Sequence, residues 1–337
     1  MPKLAHWPIL ALTLALAGCG GGGGGGGTPA PTSGTSNTPP SNVVVVAPGA
    51  PSGGSTSTSG GGSSSSGGTA TGQPQSVSVT GLSYPQGVAV YGSTLYVANT
   101  SGASISAIAL TPPNYPMVSI QLTYPSGAPP LTQPTGLAVS KDGTTLYVAN
   151  WSGPVVNSQP GPGFIDAVNI ATGAVTPLAS GLNNPDGLVL SADGNSLFVA
   201  NHGNGQILQF STTGANIATY PTPGTYPYGV YADGANNLYA TNQNGTILKW
   251  AIPTSGTPGP ASTLLTFNNP GGITGSGGYL YVADYLSKTI SKVDATSGAI
   301  LATSSVSPYQ PFLLTHDNTY LYFTDGNSGS VNAIPLP

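Results

Sequence analysis

The chain has 337 residues, a formal net charge of −4 and only 4% charged residues. Its nine acidic residues are all Asp and its five basic residues all Lys, so Glu and Arg are missing altogether. Nucleic acid is thereby excluded for want of a basic surface, and so is a bidentate guanidinium clamp for phosphate or carboxylate. A neutral surface rich in Ser, Thr, Asn and Gly remains, which suits a setting outside the cytoplasm.

Residues 1–18 read as a targeting segment. Lys3 gives a positive start, and residues 9–17 are an apolar core too short to span a membrane as a mature helix. The run Leu16-Ala17-Gly18-Cys19 resembles the bacterial lipobox, which implies a diacylglycerol on Cys19 and cleavage before it. The alternative is an ordinary signal peptide followed by a chance cysteine. Cys19 is the only cysteine, so the mature chain can form no internal disulfide and no thiolate metal site. Gly20, rather than Asp, follows it, and by the sorting rule for such lipoproteins that implies the outer membrane of a bacterial cell envelope. Residues 19–75 form a linker of Gly, Ser, Thr and Pro that cannot bury enough apolar surface to order itself. As a flexible coil it spans roughly 40 Å, enough to hold a domain clear of a lipid surface.

Residues 76–337 carry six phased copies of one pattern. Each copy opens on Pro85, Pro134, Pro185, Pro227, Pro270 or Pro311, usually as Pro-x-Gly, and the spacing is about 41 to 51 residues. A turn follows, Asp-Gly in three copies (Asp142, Asp193, Asp233), and is a hairpin signal. A calcium loop is the other use of Asp-Gly, but no ligand series continues from these. Next comes an apolar run that stops on Asn or Asp, at residues 95–99, 146–150, 197–201, 238–242, 280–284 and 321–325. Because Leu146, Tyr147, Val148 and Ala149 are all apolar, that strand is expected to be buried on both faces. Third runs follow at 104–108, 164–170, 206–210, 246–250, 289–293 and 330–334. Fourth runs follow only five copies, at 117–122, 174–179, 215–220, 261–267 and 299–306. The orphan run 76–80 is expected to supply the missing outer strand of the sixth copy. The expectation is an all-β, six-bladed β-propeller closed by its N-terminal strand, which removes the open edges of a linear sheet.

At these motifs the chain resembles the NHL-repeat and YVTN-repeat propellers and, more broadly, the six-bladed lactonase-like group. That resemblance is specific for fold and poor for function. Gluconolactonase-like members hold a divalent metal with a Glu, an Asn and an Asp. Pro185-Asp186-Gly187 matches the turn of their Asp, whereas Pro134-Thr135-Gly136 stands where their Asn belongs and the Glu has no counterpart. No metal or other cofactor is therefore expected. Streptogramin-lyase-like members use His and Glu for proton abstraction, and the missing Glu argues against that chemistry too.

In an up-and-down blade the Pro-x-Gly starts and the Asn or Asp stops share one face, and the Asp-Gly turns lie on the other. The recurring stops are assigned to the fold, as acceptors for loop backbone. Variation on that face is free for function. It comprises the middle residues Gln86, Thr135, Asp186, Tyr228, Gly271 and Phe312, and the residues after the stops, Thr100, Trp151, His202, Gln243, Tyr285 and Gly326. Both long departures from the repeat, 124–133 and 151–163, map there as well, by neutral drift or because that is the binding face. The candidate ligand-binding residues are Trp151, Asp186, His202, Tyr228, Gln243 and Tyr285. The leading reading is a monomeric, lipid-anchored, non-catalytic module that docks an envelope protein or a neutral carbohydrate. The alternatives are a lactonase- or lyase-like enzyme with a site around Asp186 and His202, and a purely structural envelope protein.

Overall fold

The computed structural model describes residues 78–112, 114–222 and 226–336. The targeting segment, Cys19 and the linker lie outside the described residues, as do residues 76 and 77 of the closing run.

Six four-stranded antiparallel sheets follow one another along the chain. Blade one runs Pro85–Tyr91, Thr94–Asn99, Ser104–Ala109 and Met117–Ser119, from the innermost strand outward. The inner strands of blades two to five are Pro134–Val139, Pro185–Leu190, Pro227–Ala232 and Pro270–Ser276. Blade six has an inner strand of only Leu314–His316, because Phe312-Leu313 replaces x-Gly after Pro311 and the pairing starts late. Its outer strand is Ser78–Val79, which pairs with Ser330–Pro335 through Ser78↔Asn332 and Val79↔Val331. The N-terminal strand therefore closes the ring.

The apolar runs act as expected. Leu146, Tyr147, Val148 and Ala149 are all buried, because each second strand is packed on both sides. The packing forms six apolar clusters, one in each gap between neighbouring blades. Leu146 and Val148 face blade one, and Tyr147 and Ala149 face blade three. The gap between blades six and one is filled by Val79, Val88, Val97 and Val331. The period of two thus serves two cores at once, which is why these runs look continuously apolar.

In blades one to five the Pro-x-Gly start is a β-bulge: the register slips between the proline and the residue three further on. Its glycine lets neighbouring inner strands touch. A Cβ on Gly136 would lie 2.3 Å from the Asp186 carbonyl oxygen, and one on Gly187 2.4 Å from that of Tyr228. Below this ring of glycines, Val88, Leu137, Leu188, Val230, Ile273 and Leu314 line a cavity of ≈ 30 Å³, room for about one water.

The stops cap the loops on the Pro-x-Gly face. Asn150 Oδ1 accepts from the backbone N–H groups of Thr132 and Gln133, both at 3.0 Å. Asp284 does so from Asn268 and Ser287, both at 2.9 Å. On the other face, Asp142 accepts from Ser140 and from the N–H of Thr144, so its carboxylate closes its own turn. One difference from the sequence reading concerns 151–163. It contains a hairpin, Gly153–Val156 with Gly161–Gln159 opposite, turned by Asn157 and Ser158 at positive φ. Its prolines and glycines mask that pairing in the sequence.

Candidate functional site

Where the six inner strands converge, their middle residues form a layer at the mouth of the ring. Thr135 is fully buried, and its hydroxyl donates to the Pro185 carbonyl at 2.8 Å, tying blade two to blade three. Asp186 is 1% exposed and its Oδ1 has no hydrogen-bond partner. Burial pushes its carboxyl up to about 8, so the acid is neutral at pH 7. Gln86 Oε1, in the same layer, is also buried without a partner. Tyr228 is buried near Asp186; burial first, and then the charge of Asp186, raises its phenol above the ordinary tyrosine value. Its ring meets Phe312 at 6.0 Å between centroids.

A row of rings climbs outward from Tyr228. His202 stacks on it at 4.7 Å and lies 5.4 Å from both Trp151 and Tyr226. His202 Nδ1 lies 3.1 Å from the Pro227 carbonyl, which can only accept, so Nδ1 carries the proton and Nε2 is the acceptor. Desolvation lowers the His202 pKa and keeps the ring neutral. Trp151 is half-buried at the outer end of the row, and Tyr226 is 47% exposed. Across the mouth, the Tyr285 hydroxyl accepts from Asn327 Nδ2 at 2.8 Å. Tyr84, 38% exposed, stands within electrostatic reach of Tyr285, Asp186 and Asp325.

Of the candidates named from sequence, the structure brings Trp151, His202 and Tyr228 into one cluster, with Asp186 next to Tyr228. Tyr285 stands within electrostatic reach of Tyr84. Gln243 is exposed and is tied to it by its N–H on the Tyr226 carbonyl alone. Tyr84 and Tyr226 escaped the sequence reading. Both precede the proline of a Pro-x-Gly start, a position the bulge turns toward the same face, and comparing that position across the six copies would have found them.

A divalent metal of the gluconolactonase type does not fit here. Asp186 is a solitary, desolvated carboxyl, and the hydroxyl of Thr135 is already engaged. Among the described residues, no three His, Cys, Asp or Glu side chains gather closely enough to hold a metal ion. The donor set is one acid, one amide oxygen and several ring faces, which suits an organic ligand.

Comparison with known proteins agrees with this geometry at the level of fold. The family model described as SMP-30/Gluconolactonase/LRE-like region matches residues 117–244, from the outer strand of blade one into blade four. No curated protein matches the sequence. Among solved structures, a catalytically inactive virginiamycin B lyase from Staphylococcus aureus with quinupristin superposes with a TM-score of 0.56 at 14% identity, covering 79% of this chain and 92% of that one. A streptogramin B lyase gives 0.53 at 15% identity, with 74% and 78% covered. A chain of a nidogen/laminin complex gives 0.54 at 18%, with 66% and 80% covered. At these identities the likeness is one of fold.

Proposed function

We propose that the propeller is a non-catalytic binding module whose ligand lies on the Pro-x-Gly face, along the row Trp151, His202, Tyr226 and Tyr228. The observation that carries this reading is the row itself. Three rings pack at a tilt around His202, from the buried Tyr228 to Trp151 and Tyr226, which are partly exposed. Rigid rings with polar edges suit a neutral sugar face or an apolar protein side chain, because they offer area at little conformational cost. The lipid on Cys19 and the long linker belong to the same proposal, holding the ring off an envelope membrane with this face free.

Trp250 is fully buried, so within the ring Trp151 is the tryptophan a ligand can reach. Neutral oligosaccharides and short apolar peptides, screened by tryptophan fluorescence, should include binders whose signal vanishes in Trp151→Phe. Trp151→Ala should weaken them about 30-fold, equivalent to ~2 kcal/mol, at an unchanged melting temperature. Lost stability with unchanged affinity would make Trp151 a packing residue of its own hairpin and end this reading.

A second reading is favoured by one observation, the buried acid of Asp186 and the imidazole of His202 both adjoining Tyr228. It makes the ring a lactonase- or lyase-like enzyme with Asp186 as acid and His202 as base. Turnover of simple lactones or ester-linked cyclic peptides, lost in both Asp186→Asn and His202→Gln, would establish it in place of the first.

A further inference from the structure

The mouth of the ring holds two buried side-chain oxygens without a partner. Asp186 Oδ1 and Gln86 Oε1 are buried oxygens in one layer, in blades three and one, and neither has a hydrogen-bond partner. Thr135, the middle residue of blade two between them, cannot serve either, because its hydroxyl is given to Pro185. Buried polar atoms without a partner are unfavourable, and a donor carried in by a ligand at the mouth would satisfy them. A divalent cation would need six or more oxygens. An ammonium group needs about three acceptors and gains further from ring faces, which Tyr228 and Phe312 supply in the same layer.

We propose that the mouth recognises a primary ammonium group on a small flat apolar body. The ammonium sits on Asp186 and Gln86, and the body lies along Tyr228, His202 and Trp151. This rests on the reading that ligands dock on this face, and it names their chemistry. Tyr84 is the gate. It is 38% exposed and its ring rests against Gly326, where a Cβ would come within 3.0 Å of it. Its backbone φ of 50° is shared by Asn184, the equivalent residue of blade three, and belongs to the start of the repeat.

Binding then moves a proton. Free Asp186 is protonated at pH 7, and with its carboxyl at about 8, ionising it costs about a factor of ten in affinity, which the ion pair offsets. The proton leaves to solvent as the ammonium arrives. The titratable groups around Asp186 are Tyr84 and Tyr228, with Tyr285 and Asp325 beyond Tyr84 and the neutral His202 beyond Tyr228. A second carboxyl able to take up that proton is not among the near ones.

The test compares phenethylamine with its neutral counterpart 2-phenylethanol on the purified full chain, by calorimetry at pH 7 in two buffers of different ionisation enthalpy. The amine should bind at least tenfold more tightly and release close to one proton per site, and the alcohol should release none. Asp186→Asn, isosteric with the neutral acid, should erase the preference for the amine and its proton release. A preference that survives Asp186→Asn, amine binding without proton release, equal affinities, or no binding of either probe would each overturn the proposal. If the alcohol binds as well as the amine and both need Trp151, the binding face stands and only the ammonium inference falls.

Discussion

The ring of glycines at the channel waist gives a sharp prediction. A methyl added at Gly87 would lie 1.7 Å from the carbonyl oxygen of Thr135 and 2.9 Å from its carbon. Both are backbone atoms, so no rotamer change can make room. The strand they belong to is pinned on both sides: Thr100 Oγ1 donates to the Pro134 carbonyl at 2.7 Å, and Thr135 Oγ1 to that of Pro185 at 2.8 Å. Gly87→Ala must therefore push blade one off blade two or break one of these bonds. Overpacking costs about 1–3 kcal/mol, and a lost buried hydrogen bond adds about 1 kcal/mol. The sum, about 3 kcal/mol, lowers the melting temperature of a domain this size by about 6–12 °C. Gly234→Ala is the control. It meets no atom within 4 Å and lies outside the left-handed region, so it should fall within about 0.5 kcal/mol of the parent. Urea denaturation followed by circular dichroism compares the two midpoints at unchanged slope. Equal midpoints would show that the inner strands are not in mutual contact and would refute the account of Pro-x-Gly given above.

Three other outcomes are expected. Val79→Asp places a carboxylate in the gap between blades six and one, where Val79 is 1% exposed; it should lose about 3 kcal/mol and raise light scattering by freeing the edge beside Ser330–Pro335, whereas Val118→Asp, at 65% exposure, should do neither. Asp166 is buried between blades one and two, and burial pushes its carboxyl up to about 7. Unfolded, it titrates near the ordinary 3.8, so the folded state alone keeps the proton between pH 4 and 7, and stability falls as pH rises through that window. Asp166→Asn should melt with the parent at pH 4 and well above it at pH 8, by up to about 4 kcal/mol; an equal difference at both pH values would contradict the assignment. Cys19→Ser should abolish palmitate labelling and release the protein from membranes on fractionation, and unchanged labelling would rule out the lipobox reading.

Much of the fold was legible in the sequence because a propeller repeats one local solution. Each four-residue apolar run had to be buried on both faces, and six phased copies with one orphan strand leave ring closure as the arrangement without open edges. The stops Asn150 and Asp284 were legible as loop acceptors for the same reason, since what recurs in every blade answers a need of every blade. The site was legible only as a face. Trp151, His202, Gln243 and Tyr285 each follow a stop and Asp186 and Tyr228 each follow the proline of a start, and within the first group nothing local distinguishes the exposed Gln243 from the half-buried Trp151 and His202. Tertiary structure decided that, because depth at the mouth depends on the bulge, on glycine contacts between strands about 50 residues apart, and on Phe312 filling the space over Gly271. Closure of the ring also joined residues far apart in sequence, with Thr324 donating to the Gln86 carbonyl at 2.7 Å across the seam between the last blade and the first. A pattern of residues specifies which face a side chain takes, but burial and proton affinity follow from what the rest of the ring stacks on top of it.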